Sequence, residues 1–71
     1  MKYLVVIEEG ERGFGAYVSD LPGCIAAAAS CEEVTRLIHE AIQFHLDGLA
    51  EDGLPIPVPH SSSEVVEAGA H

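Results

Sequence analysis

Twelve carboxylates, four histidines and two cysteines are the groups in this 71-residue chain with chemistry to offer. Divalent-metal nucleases need several carboxylates converging on the ion where strands end. The strand-like runs, about 3–7 and 14–19, contain no Asp or Glu. Glu8, Glu9 and Asp20 fall at strand ends or in turns, where solvated charge is the rule. His39 and His45 are six residues apart, so on a helix they face different ways; two ligands for one ion want a spacing of four. His60 and His71 fall in loop and tail, and the spacing of Cys24 and Cys31 matches no standard zinc site. Cys31 opens a predicted helix, a setting that can make a thiol nucleophilic, yet no histidine lies near it in sequence to act as base. Both cysteines are read as small space-filling residues near a turn and a cap, and His45 as a partly buried packing residue. The expectation is a chain with no catalytic residue, no metal site and no cofactor.

The elements that would position these groups can be read in order. Tyr3-Leu4-Val5-Val6-Ile7 is β-branched and aromatic, apolar on both faces, and predicts a central strand. Gly10 to Gly13 is turn material, and Phe14 to Ser19 predicts a second strand. Asp20-Leu21-Pro22-Gly23 puts Pro-Gly at the centre of a type II turn. A third strand follows over about 24–29. Ser30-Cys31-Glu32-Glu33 has the form of a capping box, in which the Ser30 hydroxyl takes an orphan N–H and Glu33 reaches back. Val34, Leu37, Ile38, Ala41, Ile42, His45 and Leu49 recur at helical spacing, which predicts a helix over about 31–52 ended by Gly53. Leu54-Pro55-Ile56-Pro57-Val58-Pro59 alternates apolar residues with proline, which no sheet interior accepts, so it reads as an extended surface connector. Glu64-Val65-Val66-Glu67 could add a last strand.

The predicted fold class is therefore α+β: a three-stranded antiparallel meander, one long helix on one face, then a short fourth strand, β-β-β-α-β. A right-handed crossover would set that last strand parallel to the first, on its far side. One domain is expected over 1–71, with a core of about 1–53, a connector over 54–63 and the last strand over about 64–68. One helix covers one face of a sheet. The other face would carry Leu4 and Val6, or Val5 and Ile7, depending on register, and is a self-association candidate.

Composition narrows the function classes. A net charge of −9, with Lys2, Arg12 and Arg36 as the whole basic supply, excludes direct nucleic-acid binding as the expectation. A partner with a basic surface fits better, since opposite charge speeds encounter and suppresses wrong partners. A hydrophobic fraction of 48% is too high for a disordered chain. So short a chain buries only about 60% of its unfolded surface, which favours an oligomer. Apolar runs such as Tyr3 to Ile7 fall far short of the roughly 20 residues that span a bilayer, and the N-terminus lacks signal-peptide features. A cytoplasmic address with free thiols is expected.

Several of these segments, taken as an ordered set, resemble the N-terminal domain of HicB-like antitoxins. They are Met1-Lys2-Tyr3, Gly15-Ala16-Tyr17-Val18, Asp20-Leu21-Pro22-Gly23-Cys24, Ser30-Cys31-Glu32-Glu33-Val34, Glu40-Ala41-Ile42 and the run from Glu51 to Pro59. The resemblance covers about residues 1–60. It implies a partial RNase H-like fold without catalytic carboxylates, whose partner is a small basic HicA-type toxin that cleaves RNA. Many such antitoxins carry a further C-terminal DNA-binding domain. This sequence ends at His71 with no room for one, so repression of its own operon by this chain is not expected.

The reading reached is a non-catalytic, self-associating antitoxin that blocks its toxin by steric and electrostatic occlusion. Glu40, Asp47, Glu51 and Asp52 are the candidate partner-binding residues. The rival is a stand-alone scaffold or regulatory protein with no toxin partner; a third reading is a small enzyme or ligand-binding protein using the cleft beside the helix.

Overall fold

The computed structural model describes residues 1–69. Its order is β1 (Val5–Gly10), β2 (Gly13–Val18), β3 (Ile25–Ala28) and α1 (Cys31–Glu51). The three strands form an antiparallel sheet in the order β1-β2-β3. The α+β meander with its long helix is as expected. The turn after β2 forms around Pro22-Gly23: the Cys24 N–H donates to the Leu21 carbonyl at 3.0 Å, and Gly23 takes φ 85°. That is the left-handed value the third position of a type II turn demands.

Register settles which residues face the helix. Val5 pairs with Val18, Ile7 with Ala16 and Glu9 with Phe14, while Ala16 pairs with Ala26 and Phe14 with Ala28. These residues share the inner face. Ala16, Val18, Leu21 and Cys24 join Val34 and Ile38 of α1 in the core, flanked by Tyr3, Val5, Phe14, Ala26, Ala28, Ala41, Ile42 and Leu46. Alanines at 16, 26 and 28 keep the sheet surface low, so the helix lies close over β2 and β3 and less over β1. Ile7, on the inner face of the edge strand, accordingly stays 39% exposed. Complete burial of Leu21, Val34 and Ile38 contributes about 1.5–3 kcal/mol each.

The helix ends follow the sequence. The Ser30 hydroxyl accepts the Glu33 N–H at 3.1 Å, forming one half of the capping box. At the other end, Gly53 N–H donates to Ala50 C=O at 3.1 Å and Leu54 N–H to Leu49 C=O at 2.9 Å. This is the Schellman arrangement that satisfies the last carbonyls.

Three expectations need correction. The predicted strand over about 64–68 is not formed: residues 64–68 are exposed and pair with no strand. Consequently β1 is an edge and β2 the centre. The cause lies in the connector. The Tyr3 hydroxyl bonds the Pro57 carbonyl beside the start of β1, and Asp20, after β2, then takes the backbone N–H groups of His60 and Ser61. The chain is thus led across the start of β1 to the turn after β2, on the side away from β1's free edge, before Glu64 is reached. Finally, β1 runs on to Gly10, so Glu8 and Glu9 lie inside a strand and not beyond it.

Candidate partner-binding surface

An α-helix repeats every 3.6 residues, so positions 36, 40, 43, 47 and 51 fall on one stripe. In α1 that stripe is Arg36, Glu40, Gln43, Asp47 and Glu51, all exposed, on the side opposite the core residues Val34 and Ile38. Arg36 Nη1 meets Glu40 Oε2 at 2.7 Å, and Gln43 Nε2 donates to Asp47 Oδ1 at 2.9 Å. Both are i, i+4 pairs on an exposed surface, each stabilising the helix by about 0.3–0.5 kcal/mol. They order the side chains without neutralising the stripe.

Of the four predicted contact residues, Glu40, Asp47 and Glu51 are brought together. Asp52 is not part of the stripe; it is the helix C-cap, its own N–H bonded back to the Gly48 carbonyl at 3.1 Å. Glu51 and Asp52 stand at the negative end of the helix dipole, and the last turn holds no basic residue to offset them. The C-terminal end of α1 is therefore a concentrated negative field in the free protein.

Phe44 was missed in the sequence, and it changes the character of this surface. It is 82% exposed, one turn from Glu40 and three residues from Asp47. A large aromatic bordered by carboxylates suits a cationic partner, because a guanidinium can stack on the ring while bonding the acids. The signal was available: position 44 falls between the polar stripe and the apolar one, where a phenylalanine has no core to enter.

Asp20 departs from the solvated turn residue expected at its position. Its Oδ2 accepts the N–H groups of His60 and Ser61, each at 3.0 Å, and its Oδ1 accepts the Ser61 hydroxyl at 3.3 Å. These bonds favour the ionised form, Ser61 first and His60 next, and hold the carboxyl below its ordinary value of 3.8.

The remaining candidates stay apart. Glu8 and Glu9 are consecutive in β1 and point to opposite faces, so they cannot share an ion. His39 is exposed, His45 is half-buried as a packing residue, and His60 contributes its backbone. His71 lies outside the described residues. Among the described residues no three His, Cys, Asp or Glu side chains gather into a metal-binding group. Cys24 is buried, which pushes its thiol pKa up. Cys31 is exposed, so the expectation that it fills space at the cap does not hold. No helix among the described residues is long and apolar enough to cross a membrane.

The second surface is the outer face of the sheet. Val6 pairs with Tyr17 and Tyr17 with Ile25, giving an apolar row across all three strands. Tyr17 is 42% and Ile25 70% exposed. Register therefore assigns Val6 to the uncovered face and Val5 and Ile7 to the helix.

Comparison with known proteins adds the following. A family model described as the HicB-like antitoxin of bacterial toxin–antitoxin systems matches residues 3–70. A UPF0150 protein of Helicobacter pylori is 45% identical over 49 residues, which is 69% of this chain and 68% of that protein. An uncharacterized 14.9 kDa protein from the rep-hol intergenic region of Haemophilus phage HP1 is 37% identical over 57 residues, 80% of this chain. The chain spans only 43% of that phage protein's length. Among solved structures, a chain of a HicA3 and HicB3 toxin-antitoxin complex superposes with a TM-score of 0.67 at 26% identity, covering 83% of this chain and 72% of that one.

Proposed function

This chain belongs to the HicB-like antitoxins of bacterial toxin–antitoxin systems, and we propose that it acts as one, binding a small basic HicA-type RNA-cleaving toxin and occluding it without turnover. The observation that carries the reading is the outer face of α1: Phe44 exposed beside Glu40 and Asp47, with Glu51 one turn beyond Asp47 and Asp52 at a helix end that has no cation of its own. A basic protein surface would relieve that local negative charge, which at a helix C-terminus costs about 0.3–1 kcal/mol per group. Hot spots in protein interfaces are typically aromatic anchors bordered by polar groups. The match to a chain from a solved toxin–antitoxin complex supports the same reading.

Neutralisation needs only that the toxin's RNA-binding or catalytic surface be covered. RNA reaches such a toxin through phosphate contacts with Lys and Arg, and the carboxylates of α1 compete for the same cations. No residue of this chain has to act on a bond, and no cofactor or metal enters. The chain is proposed to work in the cytoplasm as a homo-oligomer, with the apolar row Val6–Tyr17–Ile25 lying at or near the contact between copies.

The test is a pull-down of the tagged chain from its native cells, with mass spectrometry of what co-purifies. One small basic protein recovered in near-equal amount, whose RNA cleavage this chain suppresses, is the expected result. Recovery of the chain alone, repeated at low salt, would overturn the toxin claim and leave the rival, a self-associating scaffold.

A further inference from the structure

The segment that failed to become a fourth strand has a shape and a composition that suit strand donation. Residues 62–69 are all exposed, Val65 fully and Val66 at 74%. The chain's radius of gyration is 14.3 Å, against about 11 Å for a compact domain of this length. Its longest extent is 53 Å, well beyond the roughly 31 Å of a 21-residue helix. The segment projects from the body that Asp20 anchors it to, bearing two β-branched residues and unpaired backbone.

Val65 and Val66 are adjacent, so in a strand they point to opposite faces. Such a strand is at home only beside an edge that is apolar on both sides. β3 is that edge: Ile25 and Ala27 stand on the outer face and Ala26 and Ala28 on the inner one, with no charge and no proline between them. β1, the other edge, carries Glu8 and Glu9, which would oppose Glu64 and Glu67. Charged residues are the usual protection of an edge strand, and β3 has none.

We infer that the Glu64–Glu67 segment of one copy adds as a fourth strand to the β3 edge of a second copy, and that the exchange is reciprocal. Strand addition supplies the missing ladder bonds on both sides, and a two-fold exchange closes the pair without leaving a free donor. One of the two valines then extends the row Val6–Tyr17–Ile25, and the other lies beside Ala26 or Ala28 against the helix. Two chains of charge −9 repel, and β3 is the sheet edge where that repulsion is least. The inference stands apart from the toxin reading and needs no partner but the chain itself.

Sedimentation equilibrium of the full chain tests it, beside the double variant Val65→Pro, Val66→Pro. Proline at both positions removes whichever amide faces β3, and both residues lie outside the core. The expected result is a dimer for the parent and a dimer at least tenfold weaker for the variant, with an unchanged helical circular dichroism spectrum. A synthetic peptide of residues 60–71 added to the isotope-labelled variant is expected to shift the amide signals of Ile25–Ala28. A parent that sediments as one chain at millimolar concentration, a variant that dimerises as tightly as the parent, or peptide shifts confined to Val5–Gly10 would each overturn it.

Discussion

Asp20 and Ser61, 41 positions apart in sequence, are joined twice: Oδ2 of Asp20 accepts the Ser61 N–H at 3.0 Å and Oδ1 accepts its hydroxyl at 3.3 Å. This contact, with the neighbouring His60 N–H, ties the proline-rich connector to the turn after β2. The bonds lower the carboxyl pKa, so the docked connector prefers the ionised form. The contribution of these bonds to docking is therefore fully present above the ordinary value of 3.8 and lost as pH falls through the lowered one. In an NMR titration the His60 and Ser61 amide signals are expected to move with a midpoint below 3.8; a midpoint at or above it would count against the latch. Asp20→Asn should speed hydrogen exchange at both amides at neutral pH.

Two glycines hold the sheet for different reasons. A Cβ at Gly13 would lie 2.5 Å from the Ala28 carbonyl oxygen of β3, a backbone atom that cannot step aside. A Cβ at Gly23 meets nothing within 4 Å, and only its φ of 85° resists substitution. Gly23→Ala should cost about 1–2 kcal/mol, while Gly13→Ala should cost more by forcing β2 and β3 apart. Urea denaturation measures both; equal costs would contradict this assignment.

Ile38 and Phe44 sit on the same helix, six residues apart, with opposite fates: Ile38 is fully buried and Phe44 is 82% exposed. Ile38→Ala should cost about 2–5 kcal/mol, a large share of the stability of so small a domain. Phe44→Ala should change the melting curve little, a surface effect within about 0.5 kcal/mol, yet weaken toxin binding tenfold or more. Asp47→Lys should slow association and reduce its dependence on salt. Loss of melting temperature without loss of binding in Phe44→Ala would refute its role as an anchor.

The two thiols differ in access. Cys31 is exposed and Cys24 buried, so a thiol reagent should label one cysteine quickly and the second only as the protein unfolds. Peptide mapping identifies which. Rapid labelling of Cys24 in the native protein would mean that the core around Leu21 and Val34 opens locally.

Much of this fold was legible in the sequence because its signals are local. The Ser30 cap, the spacing from Val34 to Ile42, the Pro22-Gly23 turn and the Gly53 stop each act within a few residues, where backbone geometry and burial periodicity leave little choice. The acidic stripe was legible too, since Glu40, Asp47 and Glu51 follow from helical spacing alone. What only the tertiary structure decided were contacts between distant segments. The consecutive apolar residues Val5, Val6 and Ile7 in β1 allow either face to be buried, and pairing with β2 chose Val5 and Ile7 over Val6. Glu64 to Glu67 has strand propensity, but a strand needs a partner within reach. The bonds from Asp20 to His60 and Ser61 carry the chain away from β1 before that partner is met.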